Sequence, residues 1–464
     1  MIIDSISTFM YSKLLVVVLI GAGIYFTIRT KFPQMRLFKE ACKAVVEKPE
    51  DENGVSSFQA LMVSTASRVG TGNIIGVSSA ICIGGFGSVF WMWVIAIIGS
   101  ASALIESTLA QIYKKKGKDG ECYGGPAYYI EAALHCRPLA IVFCIAMIAT
   151  YAFGFNMLAS YNLQSTFSGF TFYDAKWSPW IIGGILALIT GWCLLGGGSR
   201  IVKVTSTLVP AMGVAYILIA VIVMIINHAY LPVVFSKIIS EAFDFKAIFG
   251  AFAGSAMMQG IRRGLYSNEA GIGSAPNASA SAQVSHPIKQ GLVQMLSVFI
   301  DTLLLCTATA MMCLSSGIAP AEELQGAPWV QAALHESLGN FGPVFITVAM
   351  VLFAFTTLLG NCFYCDNLLN YIHKGEPSKT FMKGFRIVSA LVVFIGAGME
   401  VSMLWNISDV LMGVMALINI PVILILSNTA LKALADYEKQ KKDGMNPVFK
   451  ARDIELEYET DYWG

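Results

Sequence analysis

The sequence predicts an all-α polytopic membrane protein of about eleven transmembrane helices, and three observations carry that expectation. Of 464 residues, 56% are hydrophobic and only 13% are Asp, Glu, Lys or Arg, about half the charged share of a soluble domain. Mean hydropathy is +0.65, and the apolar residues come in runs near the ~20 needed to cross a bilayer. Basic residues collect in alternate short loops. A water-soluble enzyme, a nucleic-acid binder and a disordered chain are thereby excluded.

Taken in order, the predicted spans are Lys13 to Thr30, Phe58 to Gly84, Phe86 to Tyr113, Pro138 to Phe167, Pro179 to Leu195 and Ile201 to Asn227. Then follow Phe245 to about Ser267, Ile288 to Ser315, Phe341 to Tyr371, Phe381 to Ala397 and Val401 to Leu426. Pro138, Pro179, Pro287 and Pro343 fit helix starts, where a missing N–H costs nothing. Tyr128–Leu134 and Trp329–Leu338 read as short interfacial helices. The first span has no basic region before it and no small-residue cleavage site, so it reads as a retained helix.

Orientation follows from loop charge. Arg29 to Lys43, Lys114 to Lys118, Arg200 with Lys203, Arg262 and Arg263 with Lys289, Lys374 to Arg386 and the C-terminal lysines fall on one side. The opposite loops hold few basic residues. The positive-inside rule then places the N-terminus outside and the C-terminus in the cytoplasm, as an odd number of spans requires. The ten cysteines are scattered through apolar runs and the five histidines stand apart; neither set has the spacing of a structural metal site.

Two segments depart from a continuous apolar helix: Ser64 to Asn73 in the second span and Gly254 to Gly264 in the seventh. Glycine weakens a helix, and backbone freed at membrane depth must find partners inside the protein. The breaks lie five spans apart. Five is odd, so the two halves have opposite topology, the pattern of an inverted repeat around a central site. The alternative is that these glycines serve close helix packing. The half-helix starting near Asn73 would direct N–H groups at a carboxylate, and the half ending near Val69 would offer free carbonyls to a cation. Such a cavity suits a zwitterion with a coupling ion.

Several blocks in this chain resemble the alanine or glycine:cation symporter family. They are Gly70-Thr71-Gly72-Asn73-Ile74, Gly124-Gly125-Pro126-Ala127-Tyr128-Tyr129, Arg263-Gly264-Leu265-Tyr266-Ser267-Asn268-Glu269-Ala270-Gly271 and Gly273-Ser274-Ala275-Pro276-Asn277. His286-Pro287, Phe299-Ile300-Asp301-Thr302 and Phe353-Ala354-Phe355-Thr356-Thr357 add to the match. The resemblance implies the leucine-transporter fold: a 5+5 inverted repeat with one extra N-terminal helix. On that basis residues 1–56 hold the extra helix and a linker, 57–227 the first repeat, 228–244 an extracellular connection, 245–427 the second repeat and 428–464 a cytoplasmic tail.

The resemblance also implies residue roles. Thr71 and Gly72 would meet the substrate carboxylate, with Asn73 beside them and ligating one sodium ion. Met257, Met258 and Gln259 would face the amino acid. A second sodium would take the carbonyls of Ala66, Val69 and Phe353 with the hydroxyls of Thr356 and Thr357, oxygen-only ligands that suit a hard cation. Otherwise the two threonines simply bond back to their own helix. Asp301, a costly carboxylate at membrane depth, either serves an ion or pairs with Arg68. Glu106 reads as a helix-end or gate residue, and Arg262, Arg263, Glu269 and Asp366 as lying toward the cytoplasmic side. The chain departs from the family over Gly154 to Ser160, where relatives often carry a Gln soon after Asn156-Met157, and at Asn361 to Asp366.

The expectation is a sodium-coupled importer of small neutral amino acids. It would be a monomer in a prokaryotic plasma membrane, with sodium as coupling ion and no cofactor or enzymatic activity. Competing readings are proton coupling and a glutamine or serine substrate. A channel would need a filter or charged ring, and a membrane enzyme a nucleophile and base; neither is visible.

Overall fold

The computed structural model describes residues 2–49, 54–117, 121–243, 255–456 and 460–463, and is helical but for a two-strand hairpin pairing Lys115–Lys116 with Cys122–Tyr123. Among the described residues, eight helices are long and apolar enough to cross a membrane. They are α1 (Ile3–Arg29), α4 (Gly87–Ile112), α6 (Arg137–Ser165), α8 (Gly197–Ile226), α12 (Pro287–Leu314), α14 (Phe341–Ile372), α15 (Lys379–Ala397) and α16 (Val401–Ile425). The shorter α7 (Ser178–Leu194) is predominantly apolar. Two crossings are made in halves: α2 (Ser57–Arg68) with α3 (Ile75–Gly84), and α10 (Ala256–Asn268) with α11 (Ala275–Ser279). Eleven crossing segments result, and the start of the seventh, 245–254, lies outside the described residues.

Short helices close the ends of the bundle: α5 (Pro126–Leu134), α9 (Leu231–Ala242), α13 (Ala327–Leu338) and α17 (Ser427–Lys442). The first and third cover the segments read as interfacial. Ser56 caps α2 in a capping box with Gln59, satisfying two backbone donors at its start. The expected proline starts hold at α6, α7 and α12, whereas Pro343 is the third residue of α14; α5 also opens on a proline, Pro126.

The tail returns to the bundle's basic end. Phe449 N–H donates to the Ser285 carbonyl at 2.8 Å, and Trp463 Nε1 to the Gln111 carbonyl at 2.7 Å. The Lys114 ammonium lies 3.6 Å from the Tyr462 ring centre.

The two broken crossings behave differently from their glycine content. In the first, α2 ends at Arg68, Gly70 is extended, and a single 3₁₀ turn over Thr71–Asn73 leads into α3. That is where the sequence places it. In the second, the helix runs unbroken from Ala256 to Asn268 through Gly260 and Gly264. The chain leaves it at Glu269, which is left-handed at φ 53°, and Gly271 and Gly273 follow at φ 85° and 88°. The break expected over Gly254 to Gly264 is therefore at 269–274.

The reason is packing. α10 runs alongside α4, and a Cβ on Gly260 or Gly264 would come within 2.7 Å of Trp91 Cβ or Ile95 Cγ2. These glycines permit close helix approach, the alternative reading of the pattern. Gly264→Val is expected to cost about 1–3 kcal/mol through overpacking, read as a lower melting temperature; unchanged melting would show slack at this crossing.

The same register corrects a charge assignment. Gly84 lies against Gln259, Gly99 against Ala270, and Gln111 donates to the Ser279 carbonyl. Arg262 and Arg263 therefore sit in the half of the bundle bounded by the Gly84–Gly87 turn, away from the basic loops they were counted with. Lys289 remains at the basic end.

Candidate functional site

The two breaks meet in the middle of the bundle. A Cβ on Gly72 would stand 2.7 Å from the Tyr266 ring and 3.8 Å from Ser267 Cα, so only glycine lets the first break approach the end of α10. Tyr266 is held between Phe155, at 4.8 Å between ring centres, and Trp405, at 4.9 Å. Thr71 Oγ1 accepts from Asn162 Nδ2 at 3.0 Å, while the other end of that buried amide, Oδ1, has no partner.

Asn73 organises the break. Its Oδ1 accepts from Gly70 N–H at 2.8 Å, a donor that an unbroken helix would return to Ala66. Its Nδ2 donates to Asp301 Oδ1 at 2.7 Å, Ser267 Oγ at 3.1 Å and the Asp301 carbonyl at 3.2 Å. Asp301 Oδ2 accepts from Ser267 Oγ and Thr302 Oγ1, both at 2.8 Å. Asp301 lies in a wide π-helical stretch of α12, Phe299–Cys306, the kind of irregularity that re-aims a side chain at functional sites. The carboxylate and hydroxyl oxygens of Asp301, Ser267 and Thr302 form a donor set suited to a hard cation, toward which Asn73 now turns its nitrogen.

The alternative partner for Asp301 does not reach it. Arg68 is 2% exposed, donates to Gln294 Oε1 at 3.3 Å, and leaves Nε and Nη2 unpartnered. Asp301, Glu106 and Glu269 all feel its charge, yet none forms an ion pair with it within 4.0 Å.

The second expected cation position is assembled unevenly. Thr357 Oγ1 is buried without a hydrogen-bond partner and lies directly against Gly70, beside the carbonyls that end α2. Thr356 instead turns back onto its own helix, donating to the Leu352 and Phe353 carbonyls at 3.0 and 3.1 Å. Thr357 thus stands at the break and Thr356 does not.

Met257, Met258 and Gln259 are not brought to the breaks. They lie near the start of α10, where Gln259 meets Gly84, about 15–18 Å along the helix from Glu269. Arg262 and Arg263 face Asp409 of α16 instead, at 2.6 and 3.3 Å, and Arg262 also reaches Ser7 of α1. Below the breaks, Ser67 donates to Asn361 at 2.7 Å and to Glu269 at 3.3 Å, and Ser274 donates to Glu269 at 2.6 Å. Asp366 pairs with Arg386 at 2.6 Å.

Ser267, Thr302, Asn162 and Asp409 were not singled out as site residues from sequence. Asp409 carried the same signal as Asp301, a lone carboxylate inside an apolar span. A cavity of about 570 Å³ opens at the basic end among Tyr123, Glu131, Arg137 and Lys374; it shares no residue with either break.

Two central crossings broken at one level, inside a bundle of eleven segments, define a carrier built around a mid-membrane site. The solved structure of MhsT in complex with L-phenylalanine has the same fold, at a TM-score of 0.55 and 14% identity over 86% of this chain and 91% of that one. The fold is that of the leucine transporter. The sequence profile of the sodium:alanine symporter family matches residues 1–451, and this chain belongs to that family. The amino-acid carrier protein AlsT of Bacillus subtilis (strain 168) is 45% identical, covering 95% of this chain and 93% of AlsT. The probable sodium/glutamine symporter GlnT of the same organism is 42% identical over 95% of this chain and 91% of GlnT.

Proposed function

We propose that this chain is a sodium-coupled symporter that imports a small neutral amino acid by alternating access. The observation that carries the reading is the pair of breaks at one level, with an orphaned Thr357 hydroxyl and a converged set of oxygens beside them. The amino-acid carboxylate takes the N–H groups at Thr71 and Gly72. One sodium lies among Asn73, Asp301, Ser267 and Thr302. The other takes the carbonyls of Ala66, Val69 and Phe353 with Thr357, and Thr356 joins only by releasing its own helix. Bound sodium holds the end of α2 to α14, completing the site for substrate.

Loop charge supports an N-terminus outside and a tail in the cytoplasm, still without Arg262 and Arg263. The repeats are 57–227 and 245–427, joined by 228–244, with 1–56 and 428–464 flanking them. The protein acts as a monomer in a prokaryotic plasma membrane, with no cofactor. Ala159 lies on the face of α6 between Phe155 and Asn162; a small residue there leaves room for serine or glutamine as well as alanine and glycine. Met257, Met258 and Gln259 line the approach rather than the seat.

A screen of sodium-dependent binding over the neutral amino acids tests the substrate class, and binding that ignores sodium throughout would contradict it. Thr357→Val removes the unpartnered hydroxyl and is expected to raise the sodium concentration for half-maximal uptake about tenfold, a loss of about 1.4 kcal/mol. Thr356→Val should change it less; the reverse order would move the site off Thr357.

A further inference from the structure

The second break frees backbone donors as well as turning the chain. Gly271 N–H donates to Glu106 Oε1 at 3.2 Å, and Gly273 N–H to Oε2 at 3.1 Å. Asn419 of α16 adds a third donor to Oε2 at 2.9 Å, and the same nitrogen holds the Gly271 carbonyl at 2.9 Å. The orientation of Asn419 is set by Tyr129, whose hydroxyl donates to Oδ1. Glu106 is fully buried and comes from α4, which is not one of the broken helices.

A neutral acceptor would satisfy these donors as well. A carboxylate at membrane depth is costly, and none of the ion pairs among the described residues includes Glu106, so its charge needs a reason. Convergent backbone N–H groups attract carboxylates, and the amino acid brings one. Were the donors of the second break left free, a small zwitterion could bind either way round.

We propose that Glu106 is a positioning residue, a resident carboxylate that fills the anion-binding concavity of the second break. The substrate carboxylate is then admitted only at Thr71 and Gly72. This rests on the transport reading above and adds what fixes the orientation of the substrate. The charge of Glu106 does the excluding, and its hydrogen bonds hold Gly271 and Gly273 in their left-handed turns.

The test uses the full chain in proteoliposomes, with kcat and KM for sodium-driven alanine uptake. Glu106→Gln keeps an acceptor but not the charge, so alanine also binds the wrong way round. The expected result is that kcat and KM fall together by about tenfold with kcat/KM unchanged, the mark of unproductive binding. Parental kinetics, or a raised KM at unchanged kcat, would overturn the proposal. In Glu106→Ala, formate should refill the concavity and restore turnover while leaving the unmodified protein unaffected; no restoration counts against it. Formate binding to Glu106→Ala but not to the unmodified protein, measured by calorimetry in detergent, tests the claim without transport, and its absence overturns it. Failure of sodium-driven uptake by the unmodified protein would contradict the transport reading alone.

Discussion

Asn73→Ala is expected to reduce sodium-driven amino-acid uptake by about 30-fold or more. The side chain is fully buried and joins three elements: the Gly70 amide in the first break, Ser267 at the end of α10 and Asp301 in α12. Truncation leaves the Gly70 N–H and one Asp301 oxygen without their partners, at about 1–3 kcal/mol for each buried group. Two such losses together, about 2–6 kcal/mol, correspond to about 30-fold or more. The loss should appear in sodium dependence, because the same residue holds the backbone whose carbonyls face the cation. Uptake at the parental rate with parental sodium dependence would remove Asn73 from the site.

Asp409→Ala is expected to be the most destabilising single change. One buried carboxylate holds two buried guanidiniums: Arg262 Nε at 2.6 Å from Oδ2, and Arg263 Nη1 at 3.3 Å from Oδ1. Arg262 continues to Ser7 and lies over the Tyr11 ring at 5.2 Å, and Arg263 lies over Trp405 at 4.0 Å. The cluster therefore ties the N-terminal helix, α10 and α16 together. Removing one partner of a buried ion pair typically costs about 3–5 kcal/mol, since the remaining charge stays buried. Here two charges are left, so thermal unfolding in detergent should fall sharply, with Asp409→Asn between the variant and the parent. Unchanged melting in both would mean that water reaches the two arginines.

These expectations show which features were visible in the chain and which were not. The class and the eleven crossings follow from the length of apolar runs, a property each segment carries within itself. The first break was legible because Gly70, Thr71, Gly72 and Asn73 combine weak helix formers with polar groups. The second was misplaced because glycine has two uses in a membrane. At Gly260 and Gly264 it lets α10 touch α4, whereas at Gly271 and Gly273 it supplies positive φ.

That displacement carried other residues with it. Read from sequence alone, Arg262 and Arg263 group with the basic loop ending at Lys289, and a break over Gly254 to Gly264 puts Met257 to Gln259 at the pocket. Asp301 stood out as a lone carboxylate at depth. Ser267 and Asn162 are ordinary polar residues whose partners lie 34 or more positions away, and nothing local to them marks a remote contact. The two threonines at 356 and 357 are adjacent in sequence but face different neighbours, a difference of 100° around the helix that spacing alone does not assign to a partner.

The central claim is that sodium drives amino-acid accumulation through the site between the breaks. Uptake of labelled alanine into proteoliposomes under an imposed inward sodium gradient, compared with an imposed proton gradient at equal sodium, tests it most directly. The expected result is accumulation above equilibrium with the sodium gradient, its collapse when that gradient is dissipated, and none with protons alone. Accumulation that follows the proton gradient and ignores sodium would contradict the account.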